Sequence, residues 1–90
     1  KNNFIQFKNK RLLILHKKRQ LQQLKKKNLK LDFIIITNNY KQPIDSINKY
    51  FQYEKIIIDA SNSKRNELFW KQQASDKIYI ISEKGAFIEN

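Results

Sequence analysis

Short apolar runs recur along the chain, and polar stretches of helix-forming composition lie between them. The two clearest apolar runs are FIII in residues 31–37 and KIII in residues 54–60. Consecutive large apolar residues over so short a length are typical of central parallel strands, which are buried on both faces. We therefore predict two central strands in these segments, with Ile35 and Ile57 deep in the core.

The two ends of the chain carry weaker strand patterns. The runs FIQF and RLLILH flank the polar tripeptide at residues 8–10, a spacing that predicts a β-hairpin in which residues 12–15 are buried on both faces. Near the other end, IYIIS and AFIE flank a turn at residues 83–85. Gly85, the only glycine, is expected to have a positive φ in that turn, where a side chain would clash.

Two of the intervening segments have an apolar helical face. Pro43 is expected at the first position of a helix whose face carries Ile44, Ile47 and Phe51 at i, i+3 and i+7 spacing. A later helix is predicted over about residues 64–74, with N-cap candidates in the Ser-Asn-Ser sequence before it. Its inward-facing side chains are expected to be Leu68 together with Phe69 or Trp70.

A third helix is predicted over residues 17–27, where Lys, Arg and Gln dominate and only Leu21 and Leu24 form an apolar stripe. Alternation of strands and helices is the pattern of right-handed βαβ units. The expected fold class is therefore α/β: a small layered domain with a mainly parallel sheet, antiparallel edge hairpins and three helices. Residues 1–90 are expected to form a single domain, as a fragment of a larger protein.

The composition excludes several classes of metal and ligand site. The chain has no cysteine and one histidine, so thiolate and multi-imidazole metal sites have no ligands. One glycine cannot build a glycine-rich phosphate loop. His16 is interpreted as a surface residue, and no apolar run has the ~20 residues that a membrane span requires. We therefore expect no catalytic residue, no metal and no cofactor.

The chain is strongly basic, with 19 Lys and Arg against 8 Asp and Glu and a net charge of +11. The simpler interpretation of this excess is a solvated surface of the composition that an A/T-rich genome produces, and the alternative is contact with a polyanion. Lys and Arg neutralise phosphates without reading sequence. The candidate nucleic-acid-binding residues are the cations of the helix predicted over residues 17–27: Lys17, Lys18, Arg19, Lys25, Lys26 and Lys27.

Asp59 is the acidic residue in the most suggestive position, because α/β sheets place their sites beyond the carboxyl ends of parallel strands. The simpler interpretation is that Asp59, with Ser61 and Asn62, caps the next helix. Trp70 is interpreted as a core residue rather than a base-stacking platform.

Three segments in this order resemble a known family: LDFIIITNN, then EKIIIDASN, then a helix with Trp70 leading to YIISEKGAF. Over residues 12–88 the chain resembles the C-terminal soluble segment of ComEC-type competence proteins, a membrane channel family that moves single-stranded DNA across the cytoplasmic membrane. In that family the segment is similar to a metallo-β-lactamase-like domain. Gly85-Ala86-Phe87 lies where the family has a Gly-Ala turn followed by an apolar residue.

The resemblance also implies what this chain lacks. Complete metallo-β-lactamase-like domains carry a His-rich loop after the strand that corresponds to residues 31–37, and here that loop contains Asn38 and Asn39. Asparagine amides are poor zinc ligands. Asn38, Asn39 and Asp59 are therefore vestigial ligand-loop positions in a degenerate half of that domain, and no hydrolysis is expected.

The leading functional expectation is a non-catalytic soluble domain of a ComEC-like competence protein, attached to the cytoplasmic membrane protein and involved in DNA uptake. The expected partners are single-stranded DNA, bound without sequence preference, and the rest of a membrane-embedded parent chain. The alternatives are an independent basic binding module of unknown partner and a degenerate hydrolase or nuclease centred on Asn38, Asn39 and Asp59. The sequence leaves the side of the membrane and the oligomeric state open.

Overall fold

A computed structural model describes residues 4–17, 29–73 and 75–85. In that part of the chain, strands and helices alternate after an N-terminal hairpin, which confirms the predicted α/β class. The elements are β1 (Phe4–Phe7), β2 (Lys10–Leu15), β3 (Leu29–Lys30), β4 (Phe33–Ile36), α1 (Ile44–Asn48), β5 (Phe51–Gln52), β6 (Lys55–Ile58), α2 (Lys64–Lys71), β7 (Ile78–Ile80) and α3 (Ile81–Lys84).

The main sheet has five strands in the order β1-β2-β4-β6-β7. Strand β1 pairs antiparallel with β2, and every later pair is parallel, with Leu15 opposite Ile36, Ile36 opposite Ile58 and Ile58 opposite Ile80. Because the parallel strands share one direction, their carboxyl ends meet at one edge of the sheet, which we call the carboxyl edge. The mainly parallel sheet and its N-terminal antiparallel hairpin are as predicted.

One face of the sheet carries the hydrophobic core. Right-handed crossovers that all advance in one direction leave their helices on the same face. Consistent with this, Ile47 of α1 and Trp70 of α2, both fully buried, belong to the same cluster as Leu13, Ile34 and Ile56 of the strands. The core therefore lies between the sheet and the helices α1 and α2.

The opposite face of the sheet contains the alternate residues of each strand. Ile35 lies on it and is only half-buried, so the prediction that Ile35 is deep in the core is wrong. Alternation in a strand sends Ile34 and Ile36 to the core and Ile35 to the other side. Ile57 lies on the same face and is buried there, so its predicted burial is confirmed, but it lies outside the core cluster between the sheet and the helices. Strand β2 behaves like β4: Leu13 and Leu15 are buried, but Leu12 and Ile14 are only half-buried, contrary to prediction.

The first hairpin turns more tightly than predicted. Its loop is Lys8–Asn9, and Lys10 already belongs to β2. Both loop residues have a positive φ, 51° for Lys8 and 67° for Asn9. This is the backbone of a type I′ turn, which matches the twist of the two strands.

Phe51 was predicted on the apolar face of the helix that begins at Pro43, but it lies in a strand. Helix α1 has Pro43 as its N-cap and ends at Asn48, and the chain then extends into β5. Strand β5 pairs in parallel with β3, with Leu29 opposite Phe51. Additional hydrogen bonds join the Leu29 amide to the Tyr50 carbonyl and the Leu31 amide to the Gln52 carbonyl. Pairing with a distant segment, rather than local periodicity, decides the conformation of Phe51.

Helix α2 begins as predicted, because Ser63 is its N-cap and its side chain accepts a hydrogen bond from the Asn66 amide. Leu68 was expected to face inward but is 51% exposed. The buried positions of the helix are Asn66, Glu67 and Trp70, so the inward face is partly polar. Polar contacts of Asn66, described below, set the rotation of the helix.

The carboxyl-terminal part of the described chain differs from the predicted hairpin. Ile81 and Ser82 were expected to continue a strand, and Glu83 and Lys84 to form a turn, but the four residues form α3. Glu and Lys are good helix formers, and the single turn is closed by a hydrogen bond from the Gly85 amide to the Ile81 carbonyl. Gly85 has φ 83°, as predicted. The predicted strand AFIE lies outside the described residues.

The predicted basic helix over residues 17–27 lies outside the described residues except for Lys17, which is exposed. His16, predicted to be a surface residue, is half-buried at the end of β2.

Candidate functional site at the carboxyl edge

Two loops meet at the carboxyl edge, one after β4 and one after β6. The Asn38 amide donates a hydrogen bond to Ser61 Oγ at 2.9 Å, and the Asn39 amide donates to Asn62 Oδ1 at 3.0 Å. In return, the Ser63 amide donates to Asn39 Oδ1 at 2.7 Å. The structure thus brings the three vestigial positions of the sequence interpretation, Asn38, Asn39 and Asp59, into one hydrogen-bonded pair of loops.

Asn38 and Asn39 have backbone conformations that explain their residue type. Their φ angles are 52° and 61°, in the left-handed region that asparagine enters more readily than most residues. The turn they form is closed by a hydrogen bond from the Tyr40 amide to the Thr37 carbonyl. Asparagine at these two positions therefore has a structural reason that is independent of any ligand.

The Asp59 carboxylate is directed into its own loop. Asp59 Oδ1 accepts hydrogen bonds from the Ser61 amide at 2.9 Å, from Ser61 Oγ at 2.5 Å and from Asn62 Nδ2 at 3.3 Å. The helix N-cap is Ser63, so the interpretation of Asp59 as a helix cap is wrong. The carboxylate instead stabilises the turn that leads into the helix.

Asn62 is the centre of this network, and it is buried. Its Nδ2 donates to the Ile36 carbonyl at 2.8 Å and to the Asp59 carbonyl at 2.9 Å. Its Oδ1 accepts from the Asn39 amide and from Asn66 Nδ2. The sequence predicted only a helix-capping role for Asn62. Its burial and its contacts with two strand ends depend on distant residues, and the neighbouring sequence contains no pattern that indicates them.

The network continues to the helix through the backbone of Tyr40. The Tyr40 carbonyl accepts two hydrogen bonds of 3.0 Å, one from Asn66 Nδ2 and one from Trp70 Nε1. Trp70 is thus a core residue, as predicted, with its polar atom satisfied inside the protein. The Tyr40 hydroxyl and Asn66 Oδ1 are buried without a hydrogen-bond partner among the described residues. Burial raises the pKa of Tyr40 to about 12.

The chemistry available at the carboxyl edge follows from these contacts. Donors and acceptors of Asn39, Asn62 and Asp59 are engaged by neighbouring protein groups, so these side chains hold two loops and a helix together. In residues 4–17, 29–73 and 75–85 no group of three His, Cys, Asp or Glu side chains is arranged to hold a metal ion.

Cationic side chains surround this network. Lys17 follows β2, and Lys41, Lys64 and Arg65 follow the two loops, all four exposed. Lys41 Nζ lies 5.1 Å from the centre of the Phe69 ring. Lys64, whose side chain is 87% exposed, approaches Glu67 only to 3.9 Å. Of the six candidate nucleic-acid-binding residues, Lys17 lies at this edge, and Lys18, Arg19, Lys25, Lys26 and Lys27 lie outside the described residues.

The opposite edge of the sheet contains a cavity that sequence reasoning missed. It has a volume of about 700 Å³ and lies between the amino ends of the parallel strands, helix α1 and strand β5. Its charged lining is mixed, and much of it is engaged: Asp32 Oδ2 accepts from the Arg11 amide at 2.7 Å, and Lys77 Nζ donates to the Tyr53 carbonyl at 3.2 Å. The lining residues come from several separate segments of the chain, so no continuous stretch of sequence predicts the cavity.

Comparison with models of known protein families gives a match. The family model described as the ComEC C-terminal domain matches residues 1–90. No curated protein and no solved structure matches the chain, and the resemblance to a metallo-β-lactamase-like domain is not confirmed. None of the described helices is long and apolar enough to cross a membrane. Since the family model covers the whole sequence, the chain belongs to the ComEC C-terminal domain family, in the context of competence and DNA uptake.

Proposed function

We propose that this domain is a non-catalytic part of a ComEC-type competence protein and that it contacts single-stranded DNA through charge, without reading sequence. The observation that carries the proposal is the cationic carboxyl edge, where Lys17, Lys41, Lys64 and Arg65 are exposed. Lysine side chains at such an edge act as flexible point charges that suit phosphates. The context of DNA uptake in this family favours DNA as the polyanion in this proposal.

The hydrogen bonds at this edge support a non-catalytic role. General acid-base chemistry needs a carboxylate or imidazole that is accessible and poised to exchange a proton. Asp59 accepts three hydrogen bonds from its own loop, and Asn38 and Asn39 hold the turn opposite it. These contacts give the three residues a structural role. The remaining partner in this proposal is the rest of a membrane-embedded parent chain, with the domain outside the bilayer.

The proposal is tested by titrating labelled single-stranded DNA with the full chain at several salt concentrations. Counterion release makes the logarithm of the affinity fall by roughly 0.7 per log unit of salt for each phosphate neutralised on a single strand. The joint change of Lys41→Gln and Lys64→Gln should weaken binding and flatten this salt slope. The joint change of Lys25→Gln, Lys26→Gln and Lys27→Gln tests the basic segment in the same way.

A matched control removes the same charge elsewhere. Lys30 in β3 and Lys49 at the end of α1 are also exposed and lie towards the opposite edge of the sheet, so Lys30→Gln with Lys49→Gln lowers the net charge equally to the carboxyl-edge pair. We expect this control to change the affinity less. Absence of binding at low salt, or binding that ignores salt and prefers one sequence, would contradict the proposal.

A further inference from the structure

The tip of the first hairpin carries an exposed aromatic side chain. Phe7, the last residue of β1, is 60% exposed, and Ile5 on the same face of the strand is 44% exposed. Phe7 pairs with Lys10 in the antiparallel register, so the two side chains lie on the same face of the hairpin. A large exposed aromatic residue on an edge strand is unusual enough to indicate a contact surface.

The backbone holds this aromatic side chain in a defined place. Lys8 and Asn9 form the two-residue type I′ turn directly after Phe7, and four residue pairs join the two strands. A rigid support lowers the entropy lost when a ligand orders a side chain. The hairpin therefore fixes the backbone that carries the Phe7 ring, so a ligand has only side-chain freedom to remove.

The surroundings of the ring are cationic. Lys8 Nζ lies over the Phe7 ring, 5.4 Å from its centre, and Lys10, on the same face as Phe7, has its Nζ 6.0 Å from the centre of the Phe33 ring. Residues 1–31 of the sequence contain no Asp or Glu. Asp32 lies beside β2, and its carboxylate accepts a hydrogen bond from the Arg11 backbone amide.

We propose that the hairpin tip, defined as Phe7, Lys8 and Lys10, is a stacking platform for an unpaired base of single-stranded DNA. An aromatic ring offers a base its π-face, and nearby cations neutralise the phosphates on either side of that base. A protein partner would have to bring acidic groups to the same place, whereas a nucleic acid carries a base and its phosphates together. This inference rests on the proposed function and names a site for it that lies outside the carboxyl edge.

Substitutions of Phe7 test the inference without altering the net charge. In the full chain, Phe7→Ala and Phe7→Leu should each weaken binding of single-stranded DNA by roughly tenfold, because a base loses its stacking partner. The salt slope should stay unchanged, since no phosphate contact is removed. The control Leu68→Ala removes an exposed apolar side chain from α2 and should leave the affinity unchanged. Thermal unfolding of all three variants should match that of the wild type.

A fluorescent variant reports stacking directly. Trp70, the single native tryptophan, is fully buried, so emission from Phe7→Trp above the wild-type signal comes from the hairpin tip. Single-stranded DNA should quench this added emission, and duplex DNA of the same length should quench it less because its bases are stacked on each other.

Each other outcome overturns the inference. If Phe7→Leu binds single-stranded DNA like the wild type while salt dependence persists, the stacking platform is wrong and the proposed function stands. If the wild type does not bind single-stranded DNA, both fail. If the Phe7 substitutions alter the oligomeric state or weaken single-stranded and duplex DNA equally, the tip is an interface between copies or a non-specific contact.

Discussion

The indole Nε1 of Trp70 donates a hydrogen bond to the carbonyl oxygen of Tyr40 at 3.0 Å, across 30 residues of sequence. The same carbonyl accepts a second hydrogen bond from Asn66 Nδ2. The backbone of Tyr40 is therefore fixed against α2, and its ring is held in the core. The phenolic hydroxyl of Tyr40 is buried with it, without a hydrogen-bond partner among the described residues.

Removing that hydroxyl should stabilise the domain. A buried polar group without a partner costs free energy, so Tyr40→Phe should raise the free energy of unfolding by about 1 kcal/mol. The matched control is Tyr53→Phe, since Tyr53 is also buried but its hydroxyl donates to Asn48 Oδ1. The control should lower the free energy of unfolding by about 1 kcal/mol. Urea unfolding followed by circular dichroism measures both, and a loss of stability in Tyr40→Phe would contradict the argument.

Alkaline pH should destabilise the domain partly through the same residue. Burial raises the pKa of Tyr40 to about 12 from its ordinary value of 10.0. The native state therefore holds this proton more tightly than the unfolded state, and its contribution is complete below pH 10. Between pH 10 and 12 the free energy of unfolding should fall by up to about 1.4 kcal/mol per pH unit from Tyr40. Tyr40→Phe should make this fall shallower, and an identical pH profile for the two proteins would count against it.

Asn62 should be one of the most sensitive polar positions. Asn62→Ala leaves the Asn39 amide without its partner and removes one of the two hydrogen bonds to the Ile36 carbonyl, so the free energy of unfolding should fall by about 1–3 kcal/mol. Asn62→Asp keeps the acceptor but loses the donor beside the Asp59 carboxylate. We expect it to be at least as destabilising at neutral pH and to recover part of its stability on acidification, because a protonated carboxyl can donate.

The control for Asn62→Asp is the same change at an exposed amide. Asn48 accepts a hydrogen bond from the Tyr53 hydroxyl through Oδ1, and a carboxylate preserves that role. Asn48→Asp should change the free energy of unfolding by less than about 0.5 kcal/mol. Chemical denaturation at neutral and acidic pH measures the free energy of unfolding of both variants. An equal loss at the two positions would show that the buried hydrogen-bond network is not the cause of the destabilisation at Asn62.

Divalent metal should have no effect on the domain. The chain has no cysteine and one histidine, and the loop positions 38 and 39 are asparagines. We expect that protein prepared without chelator contains far less than one zinc or manganese per chain, and that adding zinc leaves the unfolding temperature unchanged. Elemental analysis that finds one metal ion per chain would overturn this prediction and revive a hydrolase or nuclease centred on Asn38, Asn39 and Asp59.

The sequence predicted those parts of the fold that local pattern decides. The runs around Ile34 and Ile57 are strands because short runs of consecutive large apolar residues are typical of buried strands. Ser63 begins a helix because its side chain accepts a hydrogen bond from the amide of Asn66, three residues later. Phe51 and Leu68 were misplaced because distant partners decide them. Phe51 pairs with Leu29, and the rotation that exposes Leu68 follows from the contacts of the Asn66 side chain with Tyr40 and Asn62.

The candidate site was predictable to a similar degree. Placing Asn38, Asn39 and Asp59 at one edge required only that parallel strands end together. The direction in which each side chain points was not predictable, because the hydrogen-bond partners of the Asp59 carboxylate and the Asn62 amide, among them the Ile36 carbonyl, take their positions only in the folded loops. The cavity at the opposite edge has no sequence signal for the same reason: its lining is assembled from residues far apart in the chain.

The strand order β2-β4-β6-β7 has a consequence for synthesis of the protein. Each parallel strand pairs with the strand that precedes it in the main sheet, and near-equal lengths of chain separate Leu15 from Ile36, Ile36 from Ile58 and Ile58 from Ile80. Among the residues that the structure describes, no pairing in the main sheet joins the first strand to the last. A growing polypeptide can therefore dock each new unit on the one already made, without waiting for the terminal residues to leave the ribosome. Premature termination before β7 would remove one outer strand and none of the pairings between earlier strands, so the strands can assemble in the order in which they are translated.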